Sequence, residues 1–384
     1  MVSKCFLRAV IGCADSRSNL FLTGVPSFGR NINHHTPVNR PKALSIARIF
    51  CSMGPRLYIN CWIARITLPL IVRLRMRIIL AALILSLSGI TPTFAETPKV
   101  VASLKPIHSL VASVMGEAGS PELLVSGGAS PHTFSLKPSH AASLANADLV
   151  FWVGPALEAF LVAPIANLAK EGASVSLLHA DGVILLEARD GGVWERHLEY
   201  DEHDTRRDEE EPADLTYDPH LWLDIDNALA LVIAIEQHLS RAYPDLASIF
   251  SKNASELRNQ LKTLDADLKE QLSPFNTQPY IVFHDAYKYF EKRYGLSPAG
   301  SVTANPEVRP GAKRIADLKQ ASDNAICVFA EPQFEARILQ LLTEEKRVSL
   351  SYLDPLGSAL PAGPDHYAAT LTSLANSITD CLSQ

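Results

Sequence analysis

The chain has 384 residues and a formal net charge of −6 that is very unevenly spread. Residues 1–95 hold 12 basic side chains and one acid, Asp15, so the remainder carries 23 basic and 40 acidic groups, a formal −17. An acidic body speaks against a nucleic-acid partner, and such asymmetry marks two segments of different fate.

The first informative segment is Met76-Arg77, followed by an apolar run from Ile78 to Leu87 and by small residues up to Ala95. A basic start, a core of about ten apolar residues and a small-residue cleavage site predict a secretory signal peptide over 76–95. The core is too short to span a bilayer, which needs roughly 20 apolar residues. The alternative is a buried hydrophobic helix. Residues 1–75 show no helical or strand period, so they are expected to be upstream sequence read in frame, with translation beginning at Met76. The mature protein is then expected to start at Glu96, exported to the periplasm. With no cysteine at the cleavage point, it is expected to be soluble and not lipidated.

Only Cys327 and Cys381 remain beyond the leader. An even pair in an oxidising compartment reads as a disulfide, the alternative being two buried thiols.

From Lys99 the pattern alternates. Val100–Leu104 is a short β-type run, Pro106–Met115 carries helical spacing, and Glu122–Val125 reads as the next strand, broken by Gly127-Gly128. Pro138 opens a helix, and Leu149–Val153 is a buried strand ending at Gly154-Pro155. Strands alternating with helices predict βαβ units in a parallel sheet, with ligands at the carboxyl ends of the strands. Residues 190–215 break the order with a dense run of acids, among them Glu195 and Glu209–Glu211, together with His197 and His203. They read as a mobile acidic loop, either plain solvated surface or a weak metal-gathering flap. Helical patterns follow over about 226–243 and 245–272, the second long enough to join two lobes. A second α/β series begins at Tyr280–Phe283 and continues through Cys327–Ala330 and Val348–Leu353. The expected fold is therefore α/β, with two Rossmann-like lobes joined by a long rigid helix and a metal cleft between the lobes. The expected boundaries are 96–244, 245–274 and 275–384.

Three histidines sit where strand ends meet loops: His132 after a glycine-rich turn, His220 in Asp218-Pro219-His220, and His284 at the end of a strand. Asp354, in Leu353-Asp354-Pro355-Leu356-Gly357, stands at the same kind of position. Three neutral imidazoles with a carboxylate or a water would complete a four-coordinate zinc shell. Trp222 and Phe134 are expected to wall the site. Glu331 is expected either to orient a ligand imidazole or to bridge the lobes, and Asp285 to cap the helix after His284. His108 is a weaker site candidate; His140, His179, His238 and His366 are expected at the surface or in caps. Three histidines with an open position also describe catalytic zinc, for which Glu331 is the one candidate base. No nucleophile motif or His-Glu-x-x-His pattern supports an enzyme, and no catalytic residue is assigned.

The segments Ser130–Pro138, Asp218–Leu223, Phe283–Tyr287, Phe329–Phe334 and Leu353–Gly357, in this order, resemble the zinc-uptake solute-binding proteins of ABC transporters, the ZnuA type. The resemblance covers nearly all of Lys99–Leu382. It implies a monomeric periplasmic receptor that captures Zn²⁺, as transported ligand, between two lobes and delivers it to a membrane permease driven by an ATPase. It implies His132, His220 and His284 as ligands, and Cys327 with Cys381 as a disulfide. Manganese-binding relatives place a carboxylate where this chain has His284, and an all-nitrogen triad favours zinc over Mn²⁺. Pro131 precedes His132 and offers no ligand atom, which leaves Asp354 or water as the fourth. The alternatives are a receptor for manganese or another divalent metal within the same family, or a zinc-dependent adhesin or hydrolase.

Overall fold

The structure, a computed structural model, describes residues 76–77, 97–189, 216–303, 306, 310–334, 339–340, 343 and 348–384. The acidic segment 190–215 and, apart from Met76 and Arg77, the expected leader lie outside the described residues. The chain separates into units 1–92 and 93–384, and every element below belongs to the second.

Two four-stranded parallel sheets carry the fold. The first contains β1 (Val100–Ala102), β2 (Glu122–Leu123), β3 (Leu149–Trp152) and β4 (Ser174–Ser176) in the order β2-β1-β3-β4. The second contains β5 (Tyr280–His284), β6 (Pro298–Thr303), β7 (Cys327–Ala330) and β8 (Ser349–Tyr352) in the order β6-β5-β7-β8. Every pairing is parallel. Parallel strands need crossovers, and helices supply them. In the first half these are α1 (Lys105–Met115), α2 (Pro138–Asn146) and α3 (Ala159–Leu168), followed after the sheet by α4 (Ile225–Ala242) and α5 (Ala247–Leu272). In the second half they are α6 (Lys288–Tyr294) and α7 (Ala312–Ala321), and α8 (His366–Leu382) closes the chain.

Strand side chains alternate between the two faces of a sheet, and both faces are apolar here. On one face, Val100, Ala102, Leu149, Phe151, Tyr280, Val282, Cys327 and Phe329 join a single core shared by both sheets. On the other, Val101, Val150 and Trp152 form a separate cluster with Leu144 and Leu161. Likewise Ile281, Phe283 and Val328 form one with Leu318. The shared core is filled by the long helices. α5 contributes Phe250, Ala254, Leu257, Leu261, Leu268 and Leu272, a stripe at spacings of three, four and seven residues along 26 residues, or about 39 Å. α4 starts sharply because the Asp224 carboxylate accepts the Asp226 amide at 2.7 Å.

The C-terminal segment returns to the first half. Ser109 Oγ donates to Pro364 O at 2.7 Å and accepts the Tyr367 amide at 2.9 Å. Lys105 Nζ donates to Ser358 O and Leu360 O at 2.6 and 2.8 Å. A disulfide between Cys327 on β7 and Cys381 on α8, with Cα atoms 6.2 Å apart, ties this helix to the second sheet.

Candidate metal centre

The alternation that builds the shared core also aims the first site residue. Tyr280 and Val282 face inward, so His284, two residues on at the carboxyl end of β5, faces the same way. His220 arrives from the other half, one residue before the 3₁₀ turn Leu221–Leu223 that leads into α4. His132 comes from the long connection between β2 and α2, where Gly127 adopts φ 72°. Its amide donates to Ser130 Oγ at 3.3 Å.

These three side chains converge. Each offers one ring nitrogen, and the three nitrogens lie within 4.8 Å of one another. The ring centroids are 5.2 Å apart for His220–His284, 5.8 Å for His132–His284 and 6.0 Å for His132–His220. His220 and His284 are buried, and His132 is partly exposed.

Two carboxylates fix the tautomers. Asp218 Oδ1 accepts both the His220 amide at 2.9 Å and His220 Nδ1 at 2.8 Å. Glu331 Oε1 accepts His284 Nδ1 at 2.6 Å. With each Nδ1 carrying the proton, each Nε2 presents a lone pair. His220 Nε2 and His284 Nε2 lie 3.3 Å apart, and when both rings are neutral with the proton on Nδ1 this contact is two acceptors facing each other. A cation between them turns that repulsion into two ligand bonds. Carboxylates behind imidazoles are also the usual means of orienting a metal-binding histidine. His132 is neutral: burial first, then the neighbouring His284 and His220, push it down to about 2. At His284 burial acts downward too, but Glu331, Asp285 and Asp218 outweigh it and the net direction is upward.

Asp354, expected with water as a candidate fourth ligand, is not among the side chains whose ligand atoms meet at this point. Its Oδ1 accepts Gln333 Nε2 at 2.6 Å and the Leu356 amide at 3.1 Å. Its Oδ2 accepts the amide and hydroxyl of Ser358, both at 2.6 Å. The carboxylate is consumed in shaping the turn, where Gly357 at φ 60° lies so close to Thr370 and His366 that a Cβ would collide with them. The turn delivers Pro355 and Leu356 to the cavity beside the histidines.

Other side chains divide in the same way. Trp222 lines the cavity, its ring 5.3 Å from that of His220 and its Nε1 donating to Pro355 O at 2.9 Å. Phe134 packs instead on Phe160 and His140. Phe334 and Gln333, not expected at the site, line the cavity with Glu331. Asp285 does not cap a helix but accepts Arg189 Nη1 at 2.6 Å. His108 lies away from the triad with Nε2 against Pro121 O, and His140 accepts the Lys137 amide at the start of α2. His366, expected at the surface or in a cap, is buried, with ring nitrogens at 3.0 Å from Pro361 O and 2.8 Å from Leu356 O. His197 and His203 lie outside the described residues.

Comparison with known proteins identifies the family. Residues 100–381 match the family described as ZnuA, zinc-uptake complex component A, periplasmic. The chain is 39% identical over 310 residues to the high-affinity zinc uptake system protein ZnuA of Brucella suis biovar 1, covering 75% of this chain and 93% of that one. It is 34% identical over 290 residues to the protein of the same name from Yersinia pestis, covering 74% and 91%. A crystal structure of ZnuA superposes with a TM-score of 0.60 at 21% identity, covering 73% of this chain and 98% of that one, a likeness of fold.

Proposed function

The chain belongs to the ZnuA family of periplasmic zinc-uptake components, and from that premise we propose that His132, His220 and His284 are the side chains with which it captures Zn²⁺ for import. The observation that carries this reading is the convergence of three ring nitrogens within 4.8 Å of one another, with a carboxylate behind the His220 and His284 rings. Three nitrogen donors leave one position of a tetrahedral zinc open, and water fills it. All-nitrogen donors favour zinc over manganese, whose preference is for oxygen.

Capture and release follow from the same geometry. His132, on a loop of the first half and partly exposed, is the ligand from which a cation enters and leaves. His220 and His284 are buried and pre-oriented, so binding there costs little ordering. The loaded protein, a soluble monomer exported by the 76–95 leader, hands the ion to the membrane permease of an ATP-driven importer. Its part is that of a transport component; Glu331 serves as the partner of His284.

The test is equilibrium competition for zinc against a chelating dye, with His132→Ala, His220→Ala and His284→Ala measured beside the parent. Each variant is expected to lose affinity sharply while the parent binds one ion. Parent-like affinity in all three would refute the ligand set.

A further inference from the structure

The two limbs that flank residues 190–215 meet in a short ladder beside the metal centre. Glu187 and Tyr217 form an antiparallel bridge, the Ala188 amide donates to Thr216 O at 2.9 Å, and the Asp218 amide donates to Leu186 O at 2.8 Å. Helix α6, which begins four residues after His284, grips both limbs. The buried Tyr289 hydroxyl accepts the Leu186 amide at 3.0 Å and donates to Asp218 O at 2.9 Å. Lys288 Nζ donates to Glu187 O.

Arg189 closes the same connection from the limb side. Its Nη1 donates to Asp285, the residue after His284, and its Nη2 to Glu291 Oε2 at 2.5 Å. Glu291 also accepts the hydroxyl of Tyr280, on the strand that ends in His284, at 3.1 Å. Arg189, Asp285 and Glu291 side chains are only 17, 8 and 2% exposed, so this is a desolvated fork rather than a solvent-screened surface pair.

These contacts form a continuous path. From the His220 ring it runs to Asp218 Oδ1, through the Asp218 backbone to Tyr289, along α6 and Asp285 to His284. The two imidazoles come from different halves of the molecule, and no covalent geometry sets their separation. We propose that this clasp sets the spacing between His220 and His284, with Tyr289 and Arg189 as positioning residues for zinc capture; the inference rests on the ligand set proposed above. Tyr289 acts on the His220 side through Asp218, and Arg189 acts on the His284 side through Asp285.

The experiment uses the full exported protein and two probes: zinc affinity by dye competition, and the visible d–d spectrum of bound Co²⁺, which reports the number and geometry of ligands. Tyr289→Phe deletes one hydroxyl at nearly constant volume, and Arg189→Lys keeps the charge but not the fork. Loss of a group that orients a metal-binding side chain typically weakens the metal about 10- to 100-fold. The expected result is a fall of about tenfold in zinc affinity for Tyr289→Phe, with a weaker and shifted cobalt spectrum. Arg189→Lys is expected to move the same way by a smaller factor, and the metal-free melting temperature by only a few degrees in either variant. In a His220→Ala background Tyr289→Phe should have no further effect, because it acts through that ring. Parent-like affinity and cobalt spectra in both variants, beside a His220→Ala protein that has lost binding, would overturn the clasp and leave the ligand set standing. Unimpaired binding by His220→Ala would instead overturn the ligand set and the clasp with it.

Discussion

Glu331 Oε1 lies 2.6 Å from His284 Nδ1, with both side chains almost wholly buried. The carboxylate holds the ring proton on the side away from His220 and leaves Nε2 free for a cation. Glu331→Ala removes that constraint and is expected to weaken zinc about 10- to 100-fold, with Glu331→Gln milder because its amide oxygen can still accept the proton. Dye competition at constant pH reads the effect. A hydrolytic role would show differently, as a zinc-dependent activity lost with Glu331→Gln while affinity stayed constant.

Much of this centre is legible in the order of residues. His132, His220 and His284 each stand where a β-type run meets a turn, and parallel sheets place their ligand sites at such ends. The pair Cys327 and Cys381 is legible from parity and from the expected oxidising compartment. Asp354 is less legible. It shares the strand-end position of the histidines, but an acid before Pro-Leu-Gly is also a turn former whose carboxylate seeks the amides two and four residues on. Position along a strand does not say whether a side chain faces the cleft or its own backbone. Asp218 is not legible as a ring partner for the complementary reason: its bond to His220 spans only two residues, and its motif reads first as a turn. The inward turn of α8 was not legible either, because the bonds from Lys105 and Ser109 to residues 358–367 link segments some 250 apart.

Asp354→Ala tests whether Asp354 is the fourth ligand. The substitution removes acceptors for Gln333, Leu356 and Ser358, so the turn beside the cavity loosens. Zinc stoichiometry is expected to stay at one and affinity to fall far less than for any of the three histidine variants, while the melting temperature drops. Loss of binding as complete as that of His284→Ala would restore Asp354 as a ligand.

The Cys327–Cys381 bond closes a loop of 54 residues and holds α8 against β7. Restricting the unfolded chain by a loop of that size contributes roughly 2–4 kcal/mol, in a model-dependent way. Replacing both cysteines with alanine is expected to lower the unfolding midpoint in urea accordingly. The folded double variant should keep the zinc affinity of the parent, since neither sulfur approaches the triad. A matching loss of affinity would mean that α8 also supports the site.

Glu158 carries the pH prediction. It is fully buried just before α3, its Oε2 accepting the Gly154 amide at 2.9 Å, and burial pushes its carboxyl up to about 7 despite hydrogen bonds that act the other way. The unfolded chain releases this proton near 4.5, so the folded state binds it more tightly. The stabilisation from holding the proton is complete below 4.5 and is lost as pH rises through about 7. A shift of this size corresponds to about 3 kcal/mol. Glu158→Gln keeps an acceptor for Gly154 and cannot ionise. Its stability relative to the parent is expected to climb between pH 5 and pH 8 and then level off. Urea unfolding of both proteins across that range checks it: two curves running parallel would show that Glu158 is ionised in the folded protein throughout.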